Sequence, residues 1–567
     1  MNFVKRLKPH YKEIVLVITL SFLVTTISST KLISQYLRRP PDHVFIGISH
    51  YWEDFYYYLD QFYQGAHGRW TIVNNFTSEN FSPTIVYFDH LLLGKIGGIL
   101  GLSPFAAYNI SVFVFKFLFI SSSYLILLMA LPKQGRMRVF AFVIFLFSTS
   151  FPFFGNTEGH VTLTSMRIFR TANTVFTRFG NIPDQLVRNL LVVFCFILLV
   201  KILKSLFDNK FPVNLTINKL GKVHFFTLLL LGFLFVFISI SNSIRTIVML
   251  AAAGLIVILR MPKTDRVRYF INWILIGLPI VLPSLLLMLY LFIYLKNDPL
   301  FSYALDWDVK ENLGQLQLLY EDPVLFVMSF GTLGITTIIG LFHYLRKKRN
   351  IAETLSVNIL IISLAGYLLP IHRLLPVAGF RFFSSLMYIF AAIIVAYTLE
   401  WLRSKLHIKN GIIILFIYLI PNLATLSSSI YKNSRPVNKL SSHLFYIPNK
   451  LYDGFKVLEA LPPEDALVIA NPNQSIDIMI PGLTGKRTYS GHILMTYNND
   501  KKDTAIDKFL YKWTDQKKAL NFLLENKIEY VVWTIYDGDV KQIKRDYTFL
   551  QPVYENDMIS IFTISKS

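Results

Sequence analysis

Long, nearly uncharged apolar runs recur along most of this chain, and most of them approach the roughly 20 residues that a helix needs to cross a bilayer core. They fall at residues 14–33, 105–131, 139–154, 186–203, 223–241, 247–259, 270–295, 324–345, 355–369, 382–402 and 411–430. Hydrocarbon offers no partner for a backbone N–H or C=O, so a run that crosses it must satisfy these groups internally, as a helix does. The chain therefore reads as a polytopic α-helical membrane protein with about eleven transmembrane helices. The runs ending at Phe154 and Leu259 are short and read as tilted or broken helices. Composition agrees: 53% of the 567 residues are hydrophobic and 16% are charged, where soluble domains carry about 25% charged residues.

The net charge of +21 invites a nucleic-acid reading, but the cations sit in short segments between apolar runs, where topology explains them better. Lys5/Arg6/Lys8, Lys133/Arg136/Arg138, Lys201/Lys204/Lys210, Arg260/Lys263/Arg266/Arg268, Arg346/Lys347/Lys348/Arg349 and Arg403/Lys405/Lys409 all fall on one face of the alternation. Cytoplasmic loops carry such an excess. The opposite loops, 43–83 and 297–323, are rich in Asp and Glu. The N-terminus is thus expected in the cytoplasm of a multi-pass plasma-membrane protein, and the segment after residue 430 outside it. The run 14–33 is followed by Lys, Gln and Arg rather than by a small-residue cleavage site, so it reads as a retained first helix. The one cysteine, Cys195, lies inside an apolar run, which leaves no intramolecular disulfide to staple an external domain.

Residues 1–430 are expected to form the membrane domain, with a first extracytoplasmic loop at 35–103, and residues 431–567 a soluble extracytoplasmic domain. In that tail an amphipathic pattern from Lys450, KLYDGFKVLEAL, leads through Pro462-Pro463 into ALVIA from Ala466. A second, KKALNFLLENK, leads into YVVWTIYD from Tyr530, and MISIFTIS follows. Helix then buried strand, twice, predicts a small α/β domain. It carries neither a Gly-rich phosphate loop nor metal-spaced cysteines, so a recognition or packing role is its simplest reading.

The chemistry concentrates in the first external loop. The stretch GISHYWEDFYYYLDQFYQGAHGRW (47–70) places the carboxylates Glu53 and Asp54 in an aromatic frame, ahead of YFDHLLLGKIGGILGLSP. A carboxylate in such a frame can take a proton from an acceptor or hold a divalent cation. An acidic loop with an interfacial aromatic belt is the plainer reading of any one of these residues. A second polar stretch, 155–188, carries Glu158 and His160 and the arginines Arg167, Arg170, Arg178 and Arg188 on a face that topology leaves poor in cations. Arg245 ends a helix after SISNS, and Arg373 and Arg381 bracket PIHRLLPVAGFR. A guanidinium at the membrane edge is costly unless it faces a partner, and its fork suits phosphate oxygens. These sites point to an anionic ligand, with Arg245, Arg373, Arg381 and Arg178 as donor-phosphate ligands; His372, and His492 in TYSGH, are weaker candidates for the same cavity.

Taken together, WEDFYYYLDQFYQGAHGRW just after the first helix and the run of spans resemble the GT-C superfamily of membrane glycosyltransferases. That superfamily includes oligosaccharyltransferase catalytic subunits, protein O-mannosyltransferases and lipid A aminoarabinose transferases. The resemblance places Asp54 at the family's motif aspartate. It implies a polyprenyl-phosphate-sugar donor, and a divalent cation (Mg or Mn) held by Asp54 with Glu158 and His160. It also implies arginines at the outer membrane edge on the donor's phosphate. Neither a WWD-type peptide motif nor a mid-chain repeat domain is present, so the acceptor (glycan, lipid or protein) is not carried over. The expected activity is an inverting glycosyltransferase whose base or cation ligand is Asp54, with Glu53 beside it. The alternative class is a polytopic transporter or lipid flippase for cell-envelope glycolipids. A transporter predicts broken helices at paired positions of two halves, and no such pairing is visible. The cytoplasmic loops are too short for a nucleotide-sugar domain, which again favours a lipid-linked donor.

Overall fold

The computed structural model describes residues 10–157, 160–165, 178–208, 222–261, 266–374, 377–383, 385–436, 442–513 and 515–565. They divide into two compact units. One comprises Met1–Thr30, Phe113–Tyr294 and Leu305–Asn433; the other comprises Lys31–Val112, Leu295–Ala304 and Ser434–Ser567. Packing thus joins the first loop to the tail, an association that sequence adjacency does not reveal.

Among the described residues, 9 helices are long and apolar enough to cross a membrane. They differ from the expected set at two places. The run expected at 139–154 is helical only over Gly135–Phe147, 13 residues, or about 20 Å of a core about 30 Å thick. The chain then turns into the antiparallel strands β2 (Pro152–Thr157) and β3 (His160–Ser165). The runs 223–241 and 247–259 are continuous as Lys222–Leu259, but Asn242 breaks the helix at φ −154°, ψ 80°. Thr246 Oγ1 comes within 3.4 Å of the Phe235 carbonyl oxygen, 11 residues back, where a straight helix would set the two about 16 Å apart along its axis. The arms therefore fold sharply toward each other at Asn242. The acidic loop expected at 297–323 is the helix Pro299–Glu321.

The first unit contains polar contacts that the apolar pattern hid. Arg138 donates to both oxygens of Glu13, at 3.0 and 2.9 Å, and Tyr124 donates to the same carboxylate. One cation of the presumed topology signal therefore also holds the first helix in place. Lys116, fully buried, donates to Ser28 Oγ and Asn181 Oδ1 at 3.2 and 2.6 Å.

In the second unit, β1 (His43–Phe45) pairs antiparallel with β4 (Tyr446–Pro448), tying the start of the first loop to the start of the tail. The tail forms the expected α/β unit. Helices Asn449–Ala460 and Gln516–Glu525 precede β5 (Leu467–Ile469) and β7 (Tyr530–Thr534). With β6 (Arg487–Thr488), β8 (Leu550–Glu555) and β9 (Ile559–Ile564) these strands make a sheet of order β6-β5-β7-β9-β8, parallel on one side and antiparallel on the other. Ile469, Phe509, Leu523, Trp533 and Phe562 fill its core.

The WED motif opens the helix Trp52–Ala66, which lies against two partners. On one side is Phe88–Ile99, reached through glycines: a Cβ on Gly65 would overlap the Leu91 carbonyl oxygen, and one on Gly94 that of Phe62. On the other is Ile476–Thr484, whose Gly482 abuts the Tyr56 carbonyl. Only glycine lets backbones approach this closely.

Candidate functional site

Glu53 and Asp54 occupy the first turn of Trp52–Ala66, where unpaired N–H groups and the helix dipole favour negative charge. The Asp54 side chain is 42% exposed, so it can be reached from solvent. Its Oδ1 lies 3.3 Å from Nε2 of His492, a residue 438 positions away and only 3% exposed. The Leu494 backbone N–H donates to the other ring nitrogen, Nδ1, at 3.1 Å. A nitrogen that accepts carries no proton, so the proton of the neutral ring is on Nε2 and points at Asp54. Glu53 is hydrogen-bonded to Tyr51, whose hydroxyl is pushed up to about 12 by burial and by that carboxylate.

The loop bearing His492 is fastened on both sides. Thr488 N donates to the Asn75 carbonyl at 2.8 Å, Asn74 Nδ2 to that of Met495 at 2.8 Å, and Thr496 Oγ1 to that of Phe76 at 2.7 Å. Arg487 donates to Asn80 Oδ1 and to the carbonyls of Thr77, Ser78 and Glu79; Lys502 pairs with Glu79 at 2.6 Å. The His492 ring packs on Tyr57 and Phe76, with centroids 5.4 and 6.4 Å away.

Aromatic and imidazole side chains complete the frame. His50, just before the helix, stacks on Tyr108 at 6.0 Å and is pushed down to about 4 by burial, against the pull of Asp54, so it is neutral at pH 7. Its Nε2 has no hydrogen-bond partner among the described residues. His90 hydrogen-bonds Gln61 at 2.7 Å and packs on Tyr58 and Tyr87. Burial pushes the Tyr57 and Tyr58 hydroxyls well up, which keeps both protonated. The result is a reachable carboxylate, oriented by a neutral donor and walled by aromatic faces suited to a sugar ring or an apolar chain. The sequence marked Asp54 and Glu53 directly. It did not single out His50, although SHYWED places it four residues before Asp54.

The other expected residues belong to the first unit. Arg178 is buried; it donates to the carbonyls of Phe145, at 2.6 Å, and of Ser148, and sits 4.3 Å over the Tyr388 ring. Those are end carbonyls of the helix Gly135–Phe147, so this guanidinium caps a helix C-terminus. Arg245 Nη1 donates to Asn189 Oδ1 at 2.6 Å, close to the break at Asn242. Nearby, Arg188 pairs with Asp184 and donates to the Ser241 carbonyl at 3.0 Å. Arg373 and Arg381 are exposed, in the short turns Ile371–Arg373 and Gly379–Phe382, and Arg381 rests 5.6 Å from the Phe380 ring. Glu158, Arg167 and Arg170 lie outside the described residues, as do the side chains of His160 and His372. No group of three or more His, Cys, Asp or Glu able to hold a metal exists among the described residues. Of the expected cation ligands, only the Asp54 side chain is among the described residues.

Neither a protein-family model nor a curated protein matches the sequence. Solved structures do match. The archaeal oligosaccharyltransferase AglB from Archaeoglobus fulgidus, in complex with an inhibitory peptide and a dolichol-phosphate, aligns over 99% of this chain and 75% of its own, with TM-score 0.55 and 12% identity. The apo oligosaccharyltransferase from Archaeoglobus fulgidus aligns over 98% and 74%, with TM-score 0.54 and 13% identity. Arabinofuranosyltransferase AftD from Mycobacteria aligns over 98% of this chain and 42% of its own, with TM-score 0.51 and 12% identity. At such identities the likeness is one of fold alone: the chain shares the architecture of these solved structures, a GT-C-like fold.

Proposed function

We propose that the protein is a glycosyltransferase that moves a sugar from a polyprenyl-phosphate-linked donor to an extracytoplasmic acceptor, and that Asp54 is the group that takes the acceptor's proton. One observation carries the reading: Asp54 is half-exposed, at a helix N-terminus, with a proton-bearing His492 nitrogen on one oxygen. Such a carboxylate is oriented and reachable, as proton acceptance requires. The dolichol-phosphate in the AglB structure supports a polyprenyl-phosphate donor, and the inhibitory peptide there supports an acceptor site on the same fold.

In the proposed reaction the acceptor hydroxyl or amide attacks the anomeric carbon while its proton passes to Asp54. The bond from that carbon to the phosphate oxygen breaks, and polyprenyl phosphate leaves with the electron pair. Attack opposite the leaving group inverts the anomeric centre. Arg245, Arg373 and Arg381 are proposed to neutralise the departing phosphate, each as a guanidinium fork; Arg178 holds the helix end near its own ring contact. Glu53, committed to Tyr51, plays the lesser part. A divalent cation, if bound, would add charge stabilisation at the phosphate; the described residues assign it no ligand set, and no step here depends on it.

The test is purified Asp54→Asn, with sugar transfer from undecaprenyl- and dolichyl-phosphate-linked donors followed by release of the polyprenyl phosphate. Loss of a general base costs a factor on the order of 100 to 10,000, and Glu53→Gln should cost less. Wild-type transfer in Asp54→Asn would sink the proton-acceptor role, and reversed effects would move it to Glu53.

A further inference from the structure

Building on that reading, we infer that the tail is more than a packing or recognition module: it supplies His492 as the positioning residue of Asp54. Three observations converge. The donor geometry is fixed, because Leu494 N–H on Nδ1 leaves Nε2 as the protonated nitrogen, 3.3 Å from Asp54 Oδ1. The ring cannot swing away, being 3% exposed and packed between Tyr57 and Phe76. The loop that carries it is fastened to residues 74–80 before His492, through Arg487 and Thr488, and after it, through Met495, Thr496 and Lys502. An exposed aspartate in a first helical turn samples several rotamers. One directed hydrogen bond from a neutral donor selects among them, and it leaves the carboxylate its charge, as a proton acceptor needs.

Two near-isosteric substitutions in the full chain separate positioning from mere packing. His492→Gln can present an N–H where Nε2 stood but loses the acceptor for Leu494. His492→Asn keeps an acceptor near Nδ1 but loses the donor to Asp54. With undecaprenyl phosphate bearing a single hexose or pentose as donor, His492→Asn should lower kcat about 10- to 30-fold with donor KM within about twofold, as expected for a misplaced reacting group. His492→Gln should keep a third or more of kcat, roughly speaking. Added to Asp54→Asn, the Asn change should cost less than about twofold, because the two act as a unit. Equal losses in the Gln and Asn variants, or a rise in KM alone, would reduce His492 to a packing residue.

A second readout is independent of the reaction. In the full chain labelled with 15N-histidine, the resonance lost in His492→Gln should report the Nε2–H tautomer and should shift on Asp54→Asn. An Nδ1–H tautomer, or no shift, overturns the inference even if Asp54 proves essential. Conversely, the expected shift with a fully active Asp54→Asn would keep the contact and remove the proposed chemistry of Asp54.

Discussion

Gly65→Ala probes what holds Asp54 in place from the far end of its helix. A Cβ on Gly65 would overlap the Leu91 carbonyl oxygen and stand 2.9 Å from the carbonyl carbon and 3.1 Å from Cα, inside the 3.4 Å where ordinary contact begins. These are backbone atoms of the helix Phe88–Ile99, so no side chain can swing clear. The helices must part by about half an ångström or more, which also loosens the close approaches at Gly94 and Gly98, where an added Cβ would stand 2.8 Å from Phe62 Cα and 3.0 Å from Ala66 Cα. Overpacking costs about 1–3 kcal/mol, and up to about 1 kcal/mol returns from alanine's helix preference. The net, about 1–2 kcal/mol, is a factor of about 5 to 30 in the opening equilibrium. Hydrogen exchange of amides 55–66 and 88–99 in the detergent-solubilised chain should speed up by that factor. Transfer should fall as well, since a displacement near 1 Å can cost about 100-fold. Gly314→Ala is the control: its Cβ meets nothing within 4 Å in the helix Pro299–Glu321, so it should be neutral or mildly stabilising. Unchanged protection in Gly65→Ala would refute the close-approach reasoning.

Asp60, buried in the same helix, is pushed up to about 7 by burial, against hydrogen bonds from Asn75 and Gln64. Its unfolded value is near 3.9, so the folded protein holds a proton that the unfolded chain releases between about pH 4 and 7. The associated stability is fully present below about pH 4 and is lost as pH rises through about 7. The thermal midpoint of the wild type should therefore fall relative to Asp60→Asn between pH 5 and 7.5; parallel curves would remove Asp60 as the cause. For orientation, the basic loops lead to the expectation that the tail lies outside the cytoplasm. Cysteines introduced in intact cells at 305–320 and in the tail should react with an impermeant reagent, while cysteines at 346–350 should not, Cys195 being buried; labelling at 346–350 would invert the topology.

The sequence by itself determined the solvent and most of the secondary structure. A span needs about 20 apolar residues because lipid satisfies no backbone group, and that need is written locally, so most of the expected runs reappear as helices close to their expected ends. The tail's helix and strand patterns were local too, and β5, β7 and β9 fall where they pointed. Where the outcome depended on a neighbour, local pattern was blind. The end of the run 139–154 becomes a strand because β3 pairs with it, and Arg178 turns inward because the carbonyls of Phe145 and Ser148 need donors. The WED motif announced Asp54, since acid beside aromatics is a contiguous signal. Its partner His492 stands 438 positions away, and only the fastening of the tail to residues 74–80 brings that nitrogen to the carboxylate. A hydrogen bond is set by distance and direction in space, and no composition or periodicity encodes either across such a separation.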